Sequence, residues 1–197
     1  MEDLNLINPD PRPTRADAVK NRELLLETAQ RLFDDEGVET VTMTQIAEEA
    51  GVGKGTLYRH FSNKNDICHA LLDQDMHDLQ AATLAHAREG SDPLTTLRWF
   101  LESVAAFVMR NQDLLYSGLD SSPALSVAQA AHLWWRQTIR GYLRQLNVTG
   151  DLDYLTDTLY MMLDVNTIRF QMHNLGYERQ RILDGLNDLL TRLIGDD

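Results

Sequence analysis

Apolar residues recur at helical spacing along most of this chain, and glycines stand at the breaks between the periodic segments. Two of the segments begin beside a proline, at Pro93 and Pro123, which suits the first turn of a helix. No segment alternates apolar and polar residues as a half-buried strand does, so the pattern predicts an all-α fold. The predicted helices cover about 17–36, 63–89, 93–111, 123–146, 151–174 and 178–194.

Two further short helices, joined by a tight turn, are predicted between residues 42 and 64, where the sequence is TMTQIAEEAGVGKGTLYRHFSNK. Thr42 and Gln45 fit a capping box, so a helix begins there and buries Ile46 on one face. Gly51 supplies the permissive backbone of a helix-turn-helix corner. Ser62 or Asn63 caps the long helix that follows.

The second short helix presents a basic, polar side. Leu57 and Phe61 are four residues apart and share the face that is buried. Gly55 has no side chain, which lets the backbone approach DNA closely. Arg59 and Lys54 have the length to reach guanine O6 and N7 in a major groove. The side chains left facing outward are those of Lys54, Thr56, Tyr58, Arg59 and His60.

The charge distribution supports a nucleic-acid partner although the chain as a whole is acidic, with a net charge of −12. Between residues 50 and 65 there are cations at Lys54, Arg59 and Lys64 and no acid. An acidic body repels DNA everywhere except at this segment, which favours correctly oriented docking. It also predicts weak non-specific affinity and DNA binding that weakens as salt is added.

From about Asn21 to about Leu72 the chain resembles the tetracycline-repressor (TetR) family of bacterial transcriptional regulators. The matching residues are Leu32, Phe33, Gly37, Thr42, the run from Ile46 to Val52, the run from Lys54 to Phe61, and Lys64. Three prolines and mixed charge predict a flexible arm over 1–15, and the resemblance implies a helix-turn-helix DNA-binding domain over 16–62 and an effector-binding and dimerisation domain over 63–197.

The resemblance also implies roles for individual residues. Residues that match Thr42, Lys54, Tyr58, His60 and Lys64 typically hold phosphates in the family, whereas position 53 is glycine where the family often has serine. A cation in the first helical turn opposes the macrodipole, so Lys64 makes sense there if a phosphate lies between it and the free N–H groups. The ordinary alternative is a solvated lysine. The predicted DNA-binding set is Thr42, Thr44, Gln45, Lys54, Gly55, Thr56, Tyr58, Arg59, His60 and Lys64.

The last two predicted helices are apolar on more than one side and must be buried on more than one side. In the family the corresponding helices form a four-helix bundle between subunits, which implies a homodimer. Its recognition helices would lie about one DNA turn apart on a palindromic site. The predicted interface comprises Leu155, Leu159, Met162, Leu186, Leu189, Leu190 and Leu193.

The middle helices are rich in aromatic residues and methionines, which suit a flat or apolar effector. The ordinary interpretation of any one of these residues is that it belongs to the core. Asp164 lies on an apolar helix and either pairs with a cationic ligand or bonds an arginine such as Arg169. The predicted effector-binding set is Met76, Trp99, Phe100, Phe107, Tyr116, Trp134, Met161 and Asp164.

Several other kinds of site are not favoured. His69, Asp73 and His77 share one helix face, but a solvated polar stripe explains them better than a metal site does. No nucleophile elbow, phosphate loop or zinc-protease motif is present, so no enzyme, metal or cofactor is predicted. A single cysteine and the lack of a long apolar run predict a cytoplasmic protein without a membrane partner.

These features predict a ligand-responsive repressor that binds double-stranded operator DNA as a homodimer and responds to an apolar or aromatic effector. The alternative is an architectural or partner-regulated DNA-binding protein without a small-molecule effector. The proline-bearing N-terminus adds one open point. It is either a disordered tail or an arm that places Arg12 and Arg15 in a minor groove.

Overall fold

The computed structural model describes residues 15–88, 90, 92–117 and 125–195, together with their side chains apart from those of residues 116, 117 and 125–131. In these ranges the chain forms ten α-helices and no strand, so the predicted all-α fold is confirmed. The helices are α1 Arg15–Glu36, α2 Met43–Glu49, α3 Lys54–His60, α4 Lys64–Arg88, α5 Pro93–Arg110, α6 Gln112–Ser117, α7 Leu125–Gln145, α8 Leu152–Met161, α9 Val165–Arg169 and α10 Arg179–Ile194.

The chain divides into two compact units, and the division falls inside α4, between Ile67 and Cys68. The first unit is built on α1, whose apolar positions, including Leu25 and Leu32, are buried as their helical spacing predicted. α1 ends at Glu36, and the Gly37 that follows has a φ of +84°, in the left-handed region that glycine adopts without strain. Arg12 and the rest of the predicted arm up to residue 14 lie outside the described residues, whereas Arg15 is the first residue of α1.

The second unit surrounds α5, which is the most completely buried helix of the described residues. α5 packs against α7, α9 and α10, and α7 packs against α8. Phe100 and Phe107 of α5 lie at the centre and are almost fully buried. The core around them includes Leu97, Leu101, Val104, Val108, Trp135, Ile139, Leu143, Leu159, Leu163, Ile168, Ile182, Leu186 and Leu190.

The predicted continuous helix over 151–174 is wrong, because the chain breaks and restarts at Asp164. The Asp164 carboxylate accepts hydrogen bonds from the backbone N–H groups of Asn166, at 2.9 Å, and Thr167, at 3.1 Å. Aspartate competes for backbone donors in this way and therefore favours a helix start over a helix interior. α9 begins after this cap and continues as a π-helical turn over Phe170–Asn174.

Other predicted helix starts are confirmed by their caps. The Asp92 carboxylate accepts the N–H of Thr95 at 3.0 Å, with Pro93 in the first turn of α5. At the start of α4 the Asn63 side chain accepts the N–H of Asp66 at 3.0 Å. Helix α6, six residues long, was not predicted, because so short a segment has no readable period. Within the described ranges no helix combines the length and apolarity needed to span a bilayer.

Candidate nucleic-acid interface

Helix α2 is held at its N-terminus by the predicted cap. Thr42 has an extended backbone, and its hydroxyl oxygen accepts the N–H of Gln45 at 3.2 Å. The Gln45 side chain does not return to Thr42 as a complete capping box requires; its amide donates to the Glu36 carboxylate of α1 at 2.7 Å. Gln45 therefore links α2 to α1, which reduces its availability as a DNA contact.

The corner between α2 and α3 is a Schellman turn. The N–H of Val52 donates to the carbonyl of Ala47 at 3.0 Å, and the N–H of Gly51 donates to that of Glu48 at 3.1 Å. Gly51 has a φ of +65°, which explains the glycine at this position. The turn directs the chain into α3 one residue after Gly53.

Helix α3 has one buried face and one exposed face, as its sequence predicted. Leu57 is fully buried and Phe61 is 3% exposed, whereas Tyr58 is 53% exposed. The guanidinium of Arg22 in α1 lies 5.3 Å from the centre of the Phe61 ring, so the buried side of α3 is fixed against α1. The side chains that remain accessible, here called the recognition surface, are Lys54, Thr56, Tyr58, Arg59 and His60, with Gly55 between them.

The cationic side chains of the recognition surface are available to pair with an anion. In the described part of the chain, Lys54 and Arg59 form no ion pair. The nearby acid Glu49 pairs with Arg31 at 3.2 Å, so part of its charge is neutralised within the first unit. Gly53, the N-cap of α3, offers no side-chain oxygen to the first N–H groups of the helix. The cations Lys54 and Arg59 thus face outward, which suits an anionic backbone.

A phosphate contact was predicted for Lys64, and in the structure its ammonium group is hydrogen-bonded within the first unit. Its ammonium group donates hydrogen bonds to three backbone carbonyls, those of Val38 at 2.5 Å, Glu39 at 3.1 Å and Val41 at 3.0 Å. A lysine has three N–H donors, so its donors are matched by carbonyls of the protein itself.

In the second unit, several of the predicted effector residues lie in the core or pack against it. Phe100 and Phe107 are core residues, and Trp134 packs edge-on against Phe100 with ring centres 5.5 Å apart. Trp99 is stacked on His86 at 4.6 Å, and Met76 is partly buried against the same core.

Two of the remaining predicted effector residues are placed elsewhere. Met161 is 51% exposed, and the Asp164 carboxylate is the cap of α9. Arg169, one of the partners considered for Asp164, pairs instead with Asp113 at 2.9 Å. The side chain of Tyr116 lies outside the described residues.

A polar group beside the core was missed by sequence reasoning. The Tyr160 hydroxyl is hydrogen-bonded to His132 Nδ1, and the His132 ring meets Trp135 edge-on at 5.8 Å. Burial lowers the pKa of His132, with a partial offset from Asp164, while burial and the charge of Asp164 raise the pKa of Tyr160. His132 and Trp135 share a helix face in the sequence, but only the packing of α7 on α8 brings Tyr160 to them.

The predicted dimer-interface residues divide by burial. Leu159, Leu186 and Leu190 are almost fully buried within the single chain. The others are partly buried and pack against the core from its edge: Leu155, Met162, Leu189 and Leu193. Between Met162 and Leu189 there is a surface groove of about 430 Å³.

Large apolar side chains are exposed along the stretch from α8 to the end of the π-helical turn. Tyr154 is 72% exposed, Phe170 is 53% exposed and Leu175 is 48% exposed, and Met161 of the same stretch of chain is similarly exposed. Exposed apolar side chains in one stretch of chain are candidates for an interaction surface.

The sequence of the first unit matches a family model described as bacterial regulatory proteins of the tetR family, over residues 25–71. An HTH-type transcriptional regulator of Staphylococcus aureus strain bovine RF122 / ET3-1 is 29% identical over 162 residues, which is 81% of this chain and 86% of that protein. The chain belongs to the TetR family. It is accordingly a DNA-binding transcriptional regulator of the helix-turn-helix class, and this family is not one of enzymes.

Other relatives of this TetR-family chain match in part or in fold. A second HTH-type regulator, of S. aureus strain USA300, is 50% identical over 62 residues, 32% of this chain and 34% of that protein. A TetR/AcrR-family regulator of Thermobifida fusca shares the fold with a TM-score of 0.71 at 18% identity, over 87% of this chain and 96% of that one. A regulator of Saccharomonospora viridis in complex with choline does so with a TM-score of 0.70 at 22% identity, over the same shares.

Proposed function

We propose that this TetR-family chain is a ligand-responsive repressor that binds a palindromic operator as a homodimer. The observation that carries the proposal is the recognition surface of α3, a row of exposed cationic, hydroxyl-bearing and aromatic side chains without an acid among them. The proposed domains are an arm over 1–15, the DNA-binding domain over 16–62 and an effector and dimerisation domain over 63–197.

On DNA, residues of the recognition surface take separate roles. Arg59 and Lys54 are long enough for guanine edges in the major groove, and Arg59 has the bidentate fork that such readout favours. Tyr58 and His60, with Thr42 at the start of α2, hold phosphates and set the register of α3, and Lys54 also neutralises a phosphate. The remaining candidates are Thr44, Gln45, Gly55 and Thr56.

Dimerisation is supported by the exposed apolar side chains from α8 to the π-helical turn. About half or more of the surface is exposed in the single chain for each of four residues, Tyr154, Met161, Phe170 and Leu175. Burying these apolar side chains against a second subunit would contribute hydrophobic free energy to association. A twofold axis through this surface would pair it with itself and would also cover the partly buried edge residues Leu155, Met162, Leu189 and Leu193. Two recognition surfaces would then meet two half-sites about one DNA turn apart.

An effector is proposed for the second unit on the basis of its aromatic side chains. Trp99, which is stacked on His86, and Trp134, which packs edge-on against Phe100, are aromatic side chains of a kind that suits an apolar or aromatic molecule. They also suit a quaternary ammonium, which aromatic rings attract, and the choline complex of the S. viridis regulator makes choline a reasonable first probe. The effector acts only if it binds the DNA-incompetent conformation more tightly than the competent one.

Operator binding is tested by fluorescence anisotropy on the intergenic DNA beside the chain's own gene, with competitor DNA and at two salt concentrations. We expect competitor-resistant binding that weakens as salt is added and is abolished by Tyr58→Ala. Arg59→Gln should cost about 1–3 kcal/mol, or roughly fivefold to 150-fold in affinity. The matched control is Arg144→Gln, an exposed arginine of α7, which should bind as the wild type does. Equal losses in both arginine variants would contradict the assignment.

Effector binding is tested by thermal shift with choline and with a panel of aromatic and apolar compounds. Each compound that stabilises the protein is then taken into the anisotropy assay. A compound that stabilises the protein and changes operator affinity supports the proposal. Stabilising compounds that all leave operator affinity unchanged count against it.

One observation favours a second candidate, a DNA-binding regulator controlled by a protein partner. Phe100 and Phe107 fill the centre of the second unit as core residues. If the thermal-shift panel gives no stabilising compound while operator binding is intact, this candidate becomes the better one.

A further inference from the structure

The ammonium group of Lys64 is bound by the protein's own backbone at a point that matters for DNA recognition. It lies in the first turn of α4 and donates to the carbonyls of Val38, Glu39 and Val41, all in the segment that joins α1 to α2. The next residue after Val41 is Thr42, the N-cap of α2. One side chain therefore ties the start of α4 to the start of the helix-turn-helix motif.

The local physics accounts for a cation at this position without any phosphate. A positive charge in the first turn of a helix opposes the macrodipole and is unfavourable by itself. The side chains of Val38 and Val41 are buried, and in the described residues no backbone N–H donates to their carbonyls. Half-buried carbonyls need a donor, and the ammonium supplies one to each.

We propose that Lys64 is a positioning residue of the recognition surface, which fastens the α1–α2 segment to α4 and does not bind a DNA phosphate. A displacement of the first turn of α4 is then passed to the cap of α2 through these hydrogen bonds. This rests on the proposed function only for its consequence in DNA binding; the fastening itself is a property of the first unit.

Amine labelling of the wild-type protein tests the fastening directly, because the chain has only three lysines, Lys20, Lys54 and Lys64. The DNA-free protein is treated briefly with an acylating reagent, and each lysine is read by mass spectrometry. Lys20 and Lys54 are exposed and should react fast, whereas Lys64 is half-buried and hydrogen-bonded and should react at least about tenfold more slowly. Equal reactivity of Lys54 and Lys64 without DNA overturns the proposal.

Substitution separates positioning from phosphate binding by the sign of the stability change. Lys64→Met keeps the aliphatic length but leaves the carbonyls without donors, so the melting temperature should fall by about 5–10 °C. Lys64→Arg keeps the charge and donors and should recover much of that loss. A lysine that served only a phosphate would behave oppositely, because its removal relieves the unfavourable dipole interaction and leaves the melting temperature unchanged or higher.

The salt dependence of operator binding gives an independent readout, with Lys54→Gln as the control. Lys54→Gln should leave the melting temperature unchanged. It should reduce the slope of log K against log salt by about 0.9 for each phosphate that Lys54 neutralises in the wild type. Lys64→Met should weaken binding with an unchanged slope, and a reduced slope with unchanged stability overturns the proposal. If the wild type binds no DNA, the proposed function fails, while labelling and melting still decide the role of Lys64.

Discussion

Leu57→Ala should cost the first unit much of its stability without touching any DNA-contacting group. Leu57 in α3 is fully buried, so each carbon atom that the substitution removes is one that folding had taken out of water. Removing its outer carbons forfeits about 2.4 kcal/mol of transfer free energy at about 0.8 kcal/mol per CH₂, and the cavity brings the cost to about 3–5 kcal/mol. A unit of roughly fifty residues is stable by only about 3–8 kcal/mol, so the recognition surface would be unfolded for much of the time.

Two probes distinguish the units in this experiment. Hydrogen exchange of peptides from α1 to α3 reports the free energy of unfolding of the first unit. Tryptophan fluorescence in urea reports the second unit, because the chain's three tryptophans all lie after Cys68. We expect faster exchange in the first unit and an unchanged fluorescence midpoint. The apparent operator affinity should fall in proportion to the fraction of the first unit that remains folded.

The matched control is Leu24→Ala, since Leu24 lies on α1 and is 38% exposed. It should cost less than about 1.5 kcal/mol, because part of its side chain already meets water. If Leu57→Ala accelerates exchange no more than Leu24→Ala does, the assignment of α3 as a helix packed through Leu57 is refuted.

Three further outcomes are expected. Asp164→Ala removes the cap of α9 and should cost about 0.5–2 kcal/mol, read as a lower melting temperature; an unchanged value would contradict the capping role. Because burial lowers the pKa of His132, the unfolded chain takes up a proton there before the folded one does. Its share of stability is therefore present above the ordinary histidine pKa of about 6.5 and is lost as the pH falls below it, so His132→Gln should flatten the melting temperature between about pH 7 and pH 5. Phe170→Glu should turn the proposed homodimer into a monomer in light scattering, whereas Leu84→Glu, at a comparably exposed leucine of α4, should not.

Local rules make the recognition surface readable from the sequence alone. A cap at Thr42, a glycine at the corner and apolar residues four apart in α3 each act over a few residues, so the sequence contains all the partners that they need. The burial of Leu57 and the exposure of Tyr58 follow from helical period alone.

The sequence did not predict the role of a side chain whose hydrogen-bond partners lie far away along the chain. Lys64 finds its carbonyls about 25 positions earlier in the chain, and Tyr160 finds His132 across two helices. Asp164 shows the same limit at short range, because an aspartate among apolar residues fits a ligand contact and a helix cap equally well until the backbone is known.

The sequence by itself therefore determined the helical class, the motif and the side of α3 that faces outward, because period and capping are local properties of the chain. Only the tertiary structure decided which polar side chains of that motif are free and which are bound. A hydrogen-bond donor such as the Lys64 ammonium goes to whichever acceptors the fold brings within reach, and spacing along the chain does not reveal those acceptors.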